Sequence, residues 1–212
     1  FKNTEGTPEN IRKFHPNIIV SSTGSAPLLP PIAGLKDRID NENHNIYSIL
    51  GMISHINDFP KDLEGKKVVV VGGGAVGLDV VEFFADRNAD ISIVEMMDQI
   101  GRDLDPVSKN DTKTMMKKHN VHQLTKTALL EVKDSSFLVR GDGEPYELPF
   151  EYGFVCLGMR AQGQLYQNLT EEFSSEDVEI MNIGDSQRAR RIIDGTQEGR
   201  NILTILEQKG YL

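Results

Sequence analysis

The stretch Val68–Glu95, VVVVGGGAVGLDVVEFFADRNADISIVE, decides the reading of this chain. Val68 to Val71 is a run of β-branched residues, apolar on both faces, and predicts a buried parallel strand. Gly72, Gly74 and Gly77 follow in the spacing G-x-G-x-x-G, with a further glycine at Gly73. From Leu78 to Asn88 the rhythm is helical, with Leu78, Val81, Phe84 and Ala85 on one face. Ile91 to Val94 is a second short apolar strand, and it ends on Glu95.

Each part suits a dinucleotide. Gly72 permits a tight turn, Gly74 lets backbone approach a pyrophosphate, and Gly77 lets helix pack on strand. The helix start, with Ala75 and Val76, presents free N–H groups and partial positive charge to phosphates. Glu95 stands 18 residues past Gly77, where an acid meets the adenosine ribose hydroxyls. A carboxylate there accepts from a free diol and repels a 2′-phosphate, so NAD is expected over NADP. Met96 and Met97 follow it, with no basic residue alongside.

The 212 residues suffice for one large or two small domains. A net charge of -9 argues against a nucleic-acid partner, which needs a basic face. No run approaches membrane-spanning length, and no signal peptide opens the chain. The single cysteine excludes an internal disulfide framework and any C-x-x-C dithiol, and fits a reducing cytoplasm. Because Phe1 opens the chain almost directly into structure, a fragment or trimmed product is expected.

Outward from the central unit, Thr7-Pro8-Glu9 predicts a helix start running to about Phe14. Asn17 to Ser21 is a buried strand that ends in Ser22-Thr23-Gly24-Ser25. This turn brings backbone close to a bulky ligand or is a plain exit from the strand. A connector over residues 32–65 holds a helix at Ser48 to Asp58, with a boundary between about Asn57 and Lys66. Beyond Glu95, Asp105-Pro106 starts a helix to about His119, and Val121 to Thr125 is the next parallel strand. Ala128–Val132, Ser136–Arg140 and Tyr146–Phe150 alternate as an antiparallel meander. Phe154 to Leu157 is a last buried strand before Gly158. Residues 161–177 read as loop with a helical turn near Leu165 to Leu169. Glu179 to Ile183 is a strand ending on Gly184-Asp185. A final helix over Ile192 to Gln208 has Ile192, Ile193, Ile202, Leu203 and Leu206 as its buried candidates.

Other constellations carry less. Cys156 lies in an apolar strand and reads as structural. His119 and His122 fall across a helix-to-strand break with no third ligand, so no metal site is expected. Arg188, Arg190 and Arg191 could contact a cofactor phosphate, another domain or solvent.

Three features coincide: the central glycine unit, IIVSSTGSAPLLPPIAGL before it and EIMNIGDSQRARRIIDGTQEG after it. Together they resemble the two-dinucleotide-domain flavoprotein reductases. The likeness is nearest to the C-terminal part of the 2,4-dienoyl-CoA reductase, enoate reductase and NADH:flavin oxidoreductase (old-yellow-enzyme-like) group. It implies an α/β fold: a Rossmann-like NAD-binding domain, three-layered with a parallel sheet and a meander, inserted in a partial FAD-binding Rossmann-like domain. The domains expected are 1–60 (FAD, first part), 61–160 (NAD) and 161–212 (FAD, C-terminal part).

The resemblance also implies site roles. Gly72, Gly73, Gly74, Ala75, Val76, Gly77, Glu95 and Gly158 would serve NAD. Asp79 stands where relatives commonly carry Glu. Thr23-Gly24 would pass close to FAD, and Asp185 of Gly184-Asp185 would hold its ribityl chain. NADH would give hydride to FAD, with no catalytic acid or base required. Electrons would go on to FMN and a 4Fe-4S cluster in a missing N-terminal barrel, which reduces an enoyl-type double bond. The first FAD motif is not in this sequence, so the chain alone is expected to be inactive. The rival expectation is a dinucleotide-binding module without redox turnover.

Overall fold

Alternation along one strand organises the larger part of the molecule. The computed structural model describes residues 2–211. In order, α1 is Pro8–Arg12, β1 Ile18–Ser21, β2 Ser25–Pro27, α2 Leu35–Arg38, β3 Ile46–Tyr47, α3 Ile49–Ser54 and β4 Lys67–Val71. There follow α4 Ala75–Ala85, β5 Asp90–Val94, α5 Pro106–Lys118, β6 His122–Leu124, β7 Ala128–Val132, β8 Ser136–Arg140 and β9 Tyr146–Pro149. The chain ends with β10 Tyr152–Val155, β11 Met159–Ala161, α6 Gln164–Glu172, β12 Glu179–Asn182, a 3-10 turn at Gly184–Ser186 and α7 Ile192–Gln208.

Along β4 successive side chains point to opposite faces. Val68 and Val70 join Val80, Val81, Phe84 and Met116 in one core beneath the helices. Val69 and Val71 join Val132, Phe137, Val139 and Phe150 in another, beneath the meander. Burial on both faces is characteristic of strands in parallel sheets. The sheet is five-stranded and parallel, in the order β3-β10-β4-β5-β6. With helices on one face and the antiparallel β7-β8-β9 sheet on the other, the architecture is three-layered and Rossmann-like, as expected.

The chain divides into two compact units. One runs from Pro27 to Gly158; the other takes the residues up to Ala26 and from Met159 onward. The inserted unit begins and ends side by side, because Leu28 N–H donates to the Gly158 carbonyl at 2.9 Å. The dividing points thus fall at Ala26 and Gly158, whereas the sequence reading drew them at residues 60 and 160. Residues 35–47 account for the difference. They supply α2 and β3, with Leu35 and Ile46 fully buried in the meander-side core.

In the outer unit β1 pairs in parallel with β12, from Ile18 with Glu179 to Ser21 with Asn182. Its core is Ile19, Leu169 and Phe173. Residues 161–177 are therefore no loop: α6 is a nine-residue helix that buries Leu169. Its apolar contacts are sparse along the sequence, which hid the helical period. The reading of α7 fails in the opposite sense. Ile192 is 91% exposed, Ile193 59% and Leu203 66%, and only Leu206 is buried. Met96, next to Glu95, is 68% exposed. Among the described residues no helix is long and apolar enough to cross a membrane.

Candidate functional site

The C-terminal edge of β4, β5 and β10 gathers the glycine loop. Gly72 N–H donates to the Val94 carbonyl at 2.8 Å, and Cys156 N–H to the Val71 carbonyl at 2.7 Å. Gly72 has φ +110°, and a Cβ on it would collide with the Cys156 carbonyl. A Cβ on Gly77 would likewise strike the Gly72 carbonyl, so helix and loop touch backbone to backbone. Gly74 differs: nothing lies within 4 Å of where its Cβ would stand. That open space faces an uncapped helix, since Gly74 is the N-cap of α4 and offers no side chain. The first amides of α4, from Ala75 and Val76 on, are those a pyrophosphate would use.

Glu95 closes the loop. Its Oε2 accepts from Gly73 N–H at 2.6 Å and its Oε1 from Met97 N–H at 2.8 Å. Each carboxylate oxygen has a second acceptor position, so ribose hydroxyls can still be bound. The following loop is fastened to the same place, as Gly101 N–H donates to the Gly73 carbonyl at 2.7 Å. Sequence reasoning missed Gly101; its φ of +66° is the constraint that a lone glycine in a polar loop could have signalled.

An open cleft of about 380 Å³ adjoins this loop, between residues 98–101 with Leu104, one side of α5 from Pro106 to Met116, and Gln123 and Thr125. A second, of about 370 Å³, lies between α4 and α5 and is lined in part by Asp79, Glu82 and Asp111. Asp79 is exposed on α4, and its carboxyl is raised above the ordinary range, by partial burial first and Glu82 second. Cys156 is buried, and burial, with Asp79 contributing, pushes its thiol up to about 12. Gly158 turns with φ +104° into open space. His122 lies 3.4 Å from Asp90. No group of three or more His, Cys, Asp or Glu that could hold a metal occurs among the described residues.

In the outer unit the two candidate turns meet. A Cβ on Gly184 would lie 3.5 Å from Ser22 Oγ, and Gly184 and Gly24 have φ of +67° and +75°. Ser25 Oγ donates to Asp185 Oδ2 at 3.1 Å. Thr23 Oγ1 is already spent on the Gln162 carbonyl. Gly184 N–H donates to Glu198 Oε2 at 2.6 Å, and Arg190 N–H to Asp185 Oδ1 at 3.1 Å. The Arg190 guanidinium pairs with Glu198, which holds that carboxyl below its usual range, with Gly184 N–H adding to the effect. Of the three arginines, Arg190 therefore has an internal partner. Glu198 had no role in the sequence reading, because nothing in its spacing signals the contact.

A glycine loop, an acid at the end of the next strand and two further turns in a second unit define a Rossmann-like two-dinucleotide class of fold. A family model for pyridine nucleotide-disulphide oxidoreductases matches residues 2–181, and the chain belongs to that family. It is similar to an NADH oxidase of Thermoanaerobacter brockii, 26% identical over 90% of this chain and 28% of the relative. It is also similar to a metal reductase of Desulforamulus reducens, 26% identical over 93% of this chain and 32% of the relative. Among solved structures, a complex of 2-naphthoyl-CoA reductase superposes with a TM-score of 0.76 at 22% identity, over 93% of this chain and 28% of that one. At that identity the likeness shows the fold alone. The chain spans about a third or less of the length of these relatives.

The family match corrects the sequence reading. The narrower resemblance to the dienoyl-CoA reductase, enoate reductase and old-yellow-enzyme-like group is replaced by membership of the pyridine nucleotide-disulphide oxidoreductases. The glycine unit, the early turn and the Gly-Asp turn agree with that broader family and do not specify the narrower group.

Proposed function

We propose that this chain is the NADH-binding part of a flavin-dependent oxidoreductase, in which hydride passes from NADH to FAD. The observation that carries the reading is the Glu95 carboxylate, fixed by Gly73 N–H beside a glycine loop whose next residue, Gly74, has open space before it. The fit to NAD is good: there is a close approach at Gly74, an uncapped helix start and an acid beside them. Gly72 to Gly77 would take the pyrophosphate, Glu95 the ribose diol, and Gly158 would leave room for the nicotinamide half.

For FAD, Thr23-Gly24 and Gly184-Asp185 would line the flavin chain, with Asp185 accepting from a ribityl hydroxyl. The cofactors supply the redox chemistry, NADH giving two electrons and a proton as hydride and FAD taking them. The residues here would bind and orient, and Asp79, on α4 where relatives commonly carry Glu, would lie near the bound NAD. With one buried cysteine, the chain supplies no redox dithiol of its own. That cysteine also suits a reducing, cytoplasmic setting. The onward path through FMN and a 4Fe-4S cluster in an upstream barrel rested on the replaced resemblance, and is not part of this reading.

A second reading, a dinucleotide-binding module without turnover, is favoured by one observation. Thr23 Oγ1, on the flavin side, already donates to a partner inside the protein, the Gln162 carbonyl. Titration of the chain with NADH and with NADPH, then with FAD, separates the two. Preferential NADH binding together with FAD uptake supports the reductase. NADH binding without FAD supports the module, and failure to bind either nucleotide overturns both.

A further inference from the structure

Gly184, Asp185, Arg190 and Glu198 form a closed ring of contacts at the turn where the outer unit would meet flavin. Gly184 N–H donates to Glu198 Oε2 at 2.6 Å, and the other carboxylate oxygen pairs with the Arg190 guanidinium. Arg190 returns to the turn through its own N–H, which donates to Asp185 Oδ1 at 3.1 Å. Asp185 is held from its other side by Ser25 Oγ at 3.1 Å. Glu198 therefore links the second turn of α7 to the backbone of Gly184. Gly184 is at φ +67°, and the Glu198 carboxylate is the acceptor that meets its N–H in that direction.

We infer that Glu198, with Arg190, is a positioning residue for flavin: it fixes the Gly184–Asp185 turn so that Asp185 presents its carboxylate to the ribityl hydroxyls. This rests on the reading of Gly184–Asp185 as a flavin contact. The Glu198 carboxylate serves at once as acceptor for Gly184 N–H and as countercharge for Arg190, to which Asp185 adds a weaker attraction. Asp194, in the first turn of α7, faces Arg190 as well, but its carboxylate is engaged on Arg191 N–H at 3.1 Å.

The test is an FAD titration of the whole chain, followed by quenching of flavin fluorescence. Glu198→Ala removes both contacts and is expected to weaken FAD about tenfold, as loss of a charge-assisted hydrogen bond does. Glu198→Gln keeps an acceptor for Gly184 N–H and is expected to recover most of that loss. Arg190→Ala leaves Gly184 its acceptor and is expected to cost about threefold. It also supplies the measurement should Glu198→Ala not fold. Arg12→Ala, which breaks a different exposed ion pair of the same unit with Glu172 and Glu176, is the control and should bind FAD as the wild type does.

Wild-type affinity in both Glu198→Ala and Arg190→Ala overturns the inference while leaving the flavin reading intact. So does a Gln variant as weak as the Ala variant, or an equal loss in Arg12→Ala. A wild-type chain that takes up no FAD overturns the flavin reading itself, and the inference with it.

Discussion

Glu95 and Gly73 are joined by a 2.6 Å hydrogen bond from the glycine amide to the carboxylate Oε2, across 22 residues of chain. The acid at the end of β5 is thereby part of the loop's architecture as well as a candidate ribose ligand. Glu95→Ala is expected to weaken NADH about tenfold or more and to narrow its preference over NADPH. Calorimetric titration with both nucleotides checks this; unchanged affinities would remove the ribose assignment.

Gly74 is the position where size matters and shape does not. Its φ is -79°, which any residue adopts, and its Cβ would meet nothing. Gly74→Val should leave thermal unfolding within a few degrees of wild type and abolish NADH binding, because the side chain would fill the pyrophosphate's space. A variant that still binds would place the phosphates elsewhere.

Gly77 reverses that pattern. An added methyl would strike the Gly72 carbonyl, so helix and strand must separate. Gly77→Ala is expected to lower stability by about 1–3 kcal/mol, the usual cost of overpacking. Chemical denaturation would register it as a lower midpoint with the same slope.

Cys156 gives a pH dependence with a definite sign. The unfolded thiol ionises near 9.0 and the folded one at about 12, so the folded state keeps its proton longer. Stability from this group is full below the unfolded value and is lost as pH rises from 9.0 towards about 12. Cys156→Ala should flatten that alkaline decline in denaturation curves. At neutral pH the native thiol should react far more slowly with a disulfide reagent than the denatured one, and equal rates would contradict its burial.

The inserted unit was legible because its signals are local and periodic. Val68–Val71, the helical face of Leu78, Val81, Phe84 and Ala85, and the Asp105-Pro106 helix start all appear where the pattern sets them. The outer unit was legible only in part. β1 and β12 are paired although Ile18 and Glu179 stand far apart in sequence, and α6 is helical because Leu169 and Phe173 find Ile19. Such tertiary contacts leave little local trace. The exposed Ile192 and Leu203 misled for a related reason, since periodicity marks an apolar face without saying what covers it. Within the candidate site, the residue types of the loop could be read off, whereas the Gly101 tie and the Glu198 link could not, being single hydrogen bonds between distant residues.

Leu28 and Gly158, one hydrogen bond apart at the neck of the inserted unit, bear on the order in which the chain acquires structure. Pairing of β1 with β12 requires two stretches separated by the whole insertion to meet, and closing so long a loop of unstructured chain carries a large entropic cost. Once the insertion has folded, Leu28 and Gly158 already lie side by side, and the length of chain left to close is much shorter. The inserted unit is therefore expected to act as a clamp during folding, with the β1–β12 sheet forming after it.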